Sequence, residues 1–144
     1  MKKIISVLLV ILWMLLIFYL SNQNKLETNE TTSIIYKIFG IKDDSLLILL
    51  LIRKSAHFIE YLILGLLVHN LLKQFNVSNI NLCTILICII YACTDEIHQL
   101  FIQGRECKII DCIIDTLGSS LSIFILNIKQ ILNKNTTKNY KKVV

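Results

Sequence analysis

The sequence YACTDEIHQLFIQGRECKIIDCIID, from Tyr91 to Asp115, places charged side chains where two long apolar runs meet. The first run, from Asn81 to Ala92, leads into the segment Thr-Asp-Glu-Ile-His-Gln, and acidic residues interrupt the second run. Each ionisable group at membrane depth costs about 2.5 kcal/mol or more. We therefore expect that these charged residues are kept because the protein uses them.

The composition is typical of an integral membrane protein. Of the 144 residues, 55% are hydrophobic and the mean hydropathy is +0.67, whereas apolar usage in soluble domains is roughly 45–50%. The chain has no proline and 4 glycines, and it contains no long polar block. We therefore predict an all-α bundle that forms a single membrane domain over residues 1–144, with no nucleic-acid partner.

Four apolar segments are long enough to cross a membrane as helices. A helix rises about 1.5 Å per residue, so about 20 residues span a hydrocarbon core about 30 Å thick. The predicted spans cover residues 4–20, 53–72, 81–101 and 109–128. The first is interpreted as a retained span rather than a signal peptide, because no small-x-small cleavage site follows it. Residues 129–144 are predicted to form a basic cytoplasmic tail that frays.

The region between the first two spans leaves two questions open. The segment TSIIYKIFGI, residues 32–41, predicts a short amphipathic helix on the membrane surface, ended by Gly40. The apolar run LLILLLI, residues 46–52, is too short to span a membrane. It either extends the second span or dips into the interface.

The polar side chains of the last three spans recur at helical spacing and so share one face of each helix. The face of the second span carries Arg53, His57, Glu60, Tyr61 and Leu64. The opposite face carries Phe58, Ile59, Leu62 and Leu66, and is predicted to contact lipid. The face of the third span carries Tyr91, Thr94, Asp95, His98 and Gln99, with Glu96 off this stripe. The fourth span carries Asp111, Asp115, Gly118, Ser119 and Ser122, whose small side chains permit close helix approach.

The distribution of basic residues predicts that both termini are cytoplasmic. The side with the termini carries Lys2, Lys3, Lys73, Lys129, Lys134, Lys138, Lys141 and Lys142 and no acid. The other side carries Lys25, Lys37, Lys42, Arg53, Lys54, Arg105 and Lys108, mixed with acids. Positive residues favour the cytoplasmic side. The charged residues of the three polar faces then all lie in the outer half, which predicts a polar pocket open to the cell exterior.

Three sequence blocks resemble, in order, those of the VanZ-like family. They are RKSAHFIEYLILGLL (residues 53–67), YACTDEIHQLFIQGR (residues 91–105) and IIDCIIDTLGSSL (residues 109–121). FYLSNQN, residues 18–24, resembles the helix end that carries serine and glutamine in this family. The chain departs from the pattern at Gln103, where proline is frequent, and at Asp115, where asparagine is common. The first change is expected to loosen the loop, and the second to add a charge to the pocket.

The resemblance implies a small bacterial membrane protein of the cell envelope. The name-giving member is associated with low-level resistance to the glycopeptide teicoplanin, and the family pattern supplies no mechanism. A resistance role and a general role in envelope homeostasis therefore both stay open. The implied partners are the lipid bilayer and a lipid-linked cell-wall precursor or glycopeptide.

The candidate site residues support three interpretations. The catalytic candidates are Asp95, Glu96, His57 and Asp111, and the substrate-binding candidates are Arg105, Gln99, Lys54, Tyr61 and Asp115. In a hydrolase or transferase, one carboxyl group acts as an acid and another, or a histidine, as a base on a lipid-linked phosphate or glycan. The planar arginine then holds a phosphate or carboxylate. Alternatively, the same residues bind a head group without chemistry, or they form a buried ion-pair network.

No cofactor is expected, and whether the protein is an enzyme stays open. His57 with Glu60, and the acids near His98, offer ligands that suit a divalent metal, but the His-Glu-x-x-His pattern of zinc hydrolases is missing. A transporter is disfavoured because the spans show no inverted repeat, which a homo-oligomer would be needed to supply. His69 is interpreted as an interfacial residue.

Overall fold

A computed structural model describes residues 2–23, 34, 46–103, 105 and 107–143 of the chain. These residues form the helices α1 (Lys2–Ser21), α2 (Leu46–Gln74), α3 (Ile80–Gln99) and α4 (Ile109–Val143). Each helix contains a segment that is long and apolar enough to cross a membrane. The predicted all-α bundle of four spans is confirmed. The protein is therefore a multi-pass membrane protein.

The helix boundaries answer one open question and correct one prediction. Residues 46–52 extend the helix of the second span, because α2 begins at Leu46 and continues without a break. The basic segment predicted to fray is instead helical as far as Val143, whereas the membrane-spanning part of α4 ends at Lys134. This segment contains no proline or glycine that would end a helix. The predicted interfacial helix, residues 32–41, lies outside the described residues apart from Ile34.

Small residues bring α2 and α4 into close contact. A Cβ atom added at Gly118 would collide with the carbonyl oxygen of Phe58, and one added at Gly65 would collide with Oγ of Ser122. The same atom at Gly65 would lie 3.2 Å from Cα of Ser119. Both serines are buried and donate their hydroxyl hydrogen bonds within α4. The predicted close approach along this face of α4 is confirmed.

The predicted lipid-facing side of α2 is only partly correct. Ile59 is exposed, but Phe58, Leu62 and Leu66 are partly buried. Gly118 of α4 lies against the backbone of Phe58 and Leu62 in α2, because a residue without a side chain lets the two helices approach closely. This contact with Gly118 buries part of the face that was predicted to contact lipid. The polarity of the side chains along α2 does not reveal it.

Helix α1 is fixed to α2 and α3 by hydrogen bonds to backbone carbonyl groups. Nε1 of Trp13 donates to the carbonyl oxygen of Glu60 over 2.9 Å. The hydroxyl group of Tyr91 donates to the carbonyl oxygen of Met14 over 2.6 Å. Trp13 therefore lies partly buried between helices, whereas Tyr19 is exposed.

The two ends of the bundle differ in charge. The polar end contains the end of α1, the α3–α4 connection and the acids of α3 and α4. The basic end contains the start of α1 and the α2–α3 connection, where Asn76 and Asn79 adopt positive φ angles of 53° and 56°. Asparagine tolerates this conformation better than most residues, which suits it to a tight connection. Lys3 packs on the ring of Phe75 at the basic end.

Candidate functional site

Acidic side chains from two neighbouring helices are buried together at the polar end. Asp95 and Glu96 of α3 are each 3% exposed, and Asp111 and Asp115 of α4 are 2% and 0% exposed. Each pair reaches the interior because its members lie on the side of a helix that packs against the bundle. The name polar cluster is used below for these acids and the polar residues around them. Its members are Arg53, Lys54, His57, Glu60, Tyr61, Asp95, Glu96, Gln99, Arg105, Asp111 and Asp115.

Asp111 is the acid of the cluster that two basic side chains contact directly. Nζ of Lys54 lies 2.7 Å from Oδ1 of Asp111, and Nη2 of Arg53 lies 3.3 Å from Oδ2. The side chains of Arg53 and Lys54 are 29% and 34% exposed, whereas that of Asp111 is 3% exposed. The cations therefore lie at the rim of the cluster, and the acids lie beneath them.

His57 lies between carboxyl groups of two different helices. Its Nδ1 atom is 3.7 Å from Oε2 of Glu60 and 3.9 Å from Oδ1 of Asp115. Both distances are too long for hydrogen bonds. Within the described part of the chain, neither carboxyl oxygen of Asp115 has a hydrogen-bond partner. A fully buried carboxyl group without partners is energetically unfavourable.

In the described part of the chain, each acid of α3 has a hydrogen-bond partner at one of its two oxygens. Nε2 of Gln99 donates to Oγ of Ser21 over 3.0 Å and to Oδ2 of Asp95 over 3.4 Å. The backbone N–H of Lys108 donates to Oε2 of Glu96 over 2.8 Å. Among the described residues, Oδ1 of Asp95 and Oε1 of Glu96 have no hydrogen-bond partner. The cluster thus keeps several buried acceptor atoms.

Arg105 links the segment between α3 and α4 to the end of α1 by hydrogen bonds. Its Nε atom donates to the carbonyl oxygen of Gln23 over 2.8 Å, and Nη2 donates to that of Leu20 over 3.5 Å. Burial lowers the pKa of Arg105 and the charge of Arg53 lowers it further, whereas Asp95 acts in the opposite direction. The guanidinium group remains a cation at neutral pH because its ordinary pKa is so high.

All nine residues predicted for the site lie in the polar cluster. Tyr61 is fully buried and its ring centroid is 6.1 Å from that of Tyr91. Glu96, predicted to lie off the polar stripe of α3, is as buried as Asp95. Helix α3 packs against α4 as well as against α1 and α2, so its buried face is wider than one stripe.

Two residues predicted on the polar face of α3 lie at its margin, and one cluster contact was missed. Thr94 is exposed and donates to the carbonyl oxygen of Tyr91. The ring of His98 packs against Phe18, with centroids 4.6 Å apart. Ser21 of α1 contacts Gln99 and was not predicted for the site. The polar Ser-Asn-Gln run at the end of the first span was the signal that could have indicated it.

The chemistry of the cluster is that of hydrogen-bond acceptors beneath a cationic rim. Among the described residues, no three histidine, cysteine or acidic side chains are grouped so that they could hold a metal ion. The carboxyl oxygens can accept hydrogen bonds from hydroxyl or ammonium groups, and Arg53 and Lys54 can donate to a phosphate or carboxylate.

The fold and the cluster define a class of protein: a multi-pass helical membrane protein that gathers charged groups from several spans at one end of its bundle. The chain belongs to the VanZ/LLP1 family, whose family model matches residues 6–130. This match confirms the resemblance found in the sequence, and it includes every residue of the polar cluster. No curated protein and no solved structure matches the chain.

Proposed function

We propose that this protein acts at the outer face of the bacterial cytoplasmic membrane, where the polar cluster forms a pocket for the head group of an envelope compound. The compound is a lipid-linked cell-wall precursor or a glycopeptide of the teicoplanin type. Binding it contributes to glycopeptide resistance or to envelope homeostasis. The observation that carries the proposal is the set of buried carboxyl oxygens without partners in the described part of the chain, at Asp95, Glu96 and Asp115.

The charge of the two bundle ends supports an outer position for the cluster. The basic end carries Lys2, Lys3 and Lys73, and neither residues 61–94 nor residues 116–144 contain an acid. Positive residues at the ends of membrane spans favour the cytoplasmic side. The polar end, in which acids and bases are mixed, is therefore assigned to the outer leaflet.

The arrangement of charges supports binding over a closed ion-pair network. A network would pair each buried acid with a base, as occurs at Asp111. Among the described residues, the base nearest to Asp115 is instead His57, at 3.9 Å, and the buried oxygens of Asp115 have no hydrogen-bond partner. Hydroxyl groups of a glycan suit these acceptors, and a phosphate suits the cations of the rim.

A binding experiment with the full chain tests the proposal. The purified protein in lipid nanodiscs is incubated with lipid-linked envelope intermediates, and bound compounds are identified by mass spectrometry. We expect Asp115→Asn to weaken binding about tenfold, because the amide replaces one acceptor oxygen with an N–H donor group. Thr94→Val, which removes an exposed hydroxyl group from α3, is the matched control and should bind like the wild type. Equal binding by all three proteins would overturn the proposal.

A second candidate function is a membrane-embedded hydrolase or transferase. The position of His57 between Glu60 and Asp115 favours it, because a histidine between carboxyl groups suits acid and base catalysis. In that case His57→Gln should keep head-group binding but lower turnover of a lipid-linked phosphate or glycan by about 10²- to 10⁴-fold. Binding without any product from the wild type would exclude this candidate.

A further inference from the structure

A groove between α2 and α4 lies at the basic end of the bundle, far along both helices from the polar cluster. Its volume is about 210 Å³. The residues that matter for its chemistry are Leu66, His69 and Lys73 of α2 and Leu126, Lys129 and Asn133 of α4. No part of the proposed function uses this groove.

The groove is apolar at one end and basic at the other. On α2, Leu66 and Lys73 are seven residues apart, which is about 10 Å along a helix. On α4, which runs in the same direction, Leu126 precedes Lys129 and Asn133 in the same order. The leucines therefore lie at the deeper, membrane-embedded end and the lysines near the helix ends. This gradient matches an amphiphile whose head group is anionic.

His69 gives the groove a buried polar atom. The residue, predicted to be interfacial, is 4% exposed. Its Nε2 atom has no hydrogen-bond partner within the described ranges. A buried polar atom without a partner carries a free-energy cost that a ligand can remove. An imidazole beside two lysines is suited to donate a hydrogen bond to a phosphate oxygen.

The charge around the groove is of one sign. Neither residues 61–94 nor residues 116–144, which together carry its lining, contain an aspartate or glutamate. Lys73 and Lys129 therefore have no acid nearby in sequence on their own helices. Basic pockets between membrane helices bind the head groups of anionic lipids in this way.

We propose that this groove binds the phosphate head group of an anionic glycerophospholipid, with Lys73, Lys129 and His69 around the phosphate and the acyl chains along Leu66 and Leu126. The binding needs neither the polar cluster nor its ligand. The proposal can therefore fail while the proposed function stands, and the reverse also holds.

Lipid binding by the full chain in nanodiscs tests the proposal. The nanodiscs contain phosphatidylcholine with or without phosphatidylglycerol, and lipids that remain bound after transfer to mild detergent are counted by native mass spectrometry. We expect Lys73→Gln and Lys129→Gln each to lower retained phosphatidylglycerol about fivefold, the effect of one lysine near an anionic surface. His69→Asn should also lower it. Lys2→Gln and Lys134→Gln, which remove the same charge outside the groove, are the matched controls.

Each outcome decides for or against the groove. Loss confined to the groove variants, with the controls like the wild type, supports the lipid site. Equal loss in Lys2→Gln and Lys134→Gln would show general attraction to a charged surface and would overturn it. Displacement of the lipid by inorganic phosphate, but not by chloride of equal ionic strength, would show that the groove binds free phosphate. This result would also overturn the lipid site. Wild-type retention of phosphatidylglycerol by Lys73→Gln and Lys129→Gln would likewise overturn the lipid site.

Discussion

Asp111 and Asp115 lie one helical turn apart on α4 but in opposite surroundings. Asp111 contacts Lys54 and Arg53, so its charge is compensated. Asp115 is fully buried, and the nearest base is His57 at 3.9 Å. We expect the first acid to contribute to stability and the second to reduce it, because Asp115 has no hydrogen-bond partner among the described residues.

Substituting each of these aspartates by asparagine separates the two roles. We expect Asp111→Asn to lower the free energy of unfolding by about 1–3 kcal/mol, because it breaks a buried, charge-assisted contact. Asp115→Asn should leave stability unchanged or raise it, because no ion pair of that strength is lost. Thermal unfolding of the purified variants in one detergent measures both effects. A larger loss of stability in Asp115→Asn than in Asp111→Asn would contradict this assignment.

Arg105 allows a test in which the charge is kept. Its guanidinium group donates to two carbonyl oxygens near the end of α1, at Gln23 and Leu20, which a lysine cannot reproduce with the same geometry. We expect Arg105→Lys to weaken head-group binding roughly tenfold, equivalent to one charged hydrogen bond. The reverse exchange Lys108→Arg, in the same connection, is the control and should have little effect. Wild-type binding by Arg105→Lys would show that Arg105 contributes only its positive charge.

At the scale of the helices, spacing along the sequence predicted the spans and the small-residue face of α4. It placed Glu96 off the polar stripe of α3, and Glu96 is nevertheless buried because α3 packs against several helices. It also missed the docking of α1 through Trp13 and Ser21, since these contacts reach other helices and leave no local pattern. The helical continuation to Val143 was missed because polar composition alone was taken to indicate fraying.

The contact between α2 and α4 is tested at Gly118. Gly118→Ala places a Cβ atom against the backbone of Phe58, which cannot move as a flexible side chain does. We expect a loss of about 1–3 kcal/mol in the free energy of unfolding, the usual cost of overpacking. Leu117→Ala is the control, because Leu117 is 56% exposed and should cost about 0.5 kcal/mol or less. Equal stability of Gly118→Ala and the wild type would contradict the close packing.

At the scale of the whole molecule, acidic and basic residues are mixed at one end of the bundle, whereas the other end is basic. This separation follows from alternating helix direction, because the charged residues lie at the start of α2, the end of α3 and the start of α4. The sequence therefore predicted that the polar residues would meet. It could not reveal which oxygens lack partners, since that depends on side-chain positions.

The orientation of the molecule is tested by thiol labelling. Cys107 is exposed in the α3–α4 connection, and Ser78 is exposed in the α2–α3 connection. In one variant Cys107 is the only cysteine. In the other, the cysteine introduced by Ser78→Cys is the only one. We expect a membrane-impermeant thiol reagent to label Cys107 in intact cells, and to label the cysteine at position 78 only after permeabilisation, because basic residues favour the cytoplasm. The opposite pattern would place the polar cluster at the cytoplasmic leaflet.

We propose that the buried acids of the polar cluster serve an envelope function. The most direct measurement compares the wild type, Asp95→Asn, Glu96→Gln and the control Thr94→Val at matched membrane abundance. It scores glycopeptide tolerance together with the pool of lipid-linked envelope intermediates. We expect the two acid variants to lose tolerance with a changed pool, and the control to behave like the wild type. Unchanged tolerance and an unchanged pool in Asp95→Asn and Glu96→Gln would contradict the claim.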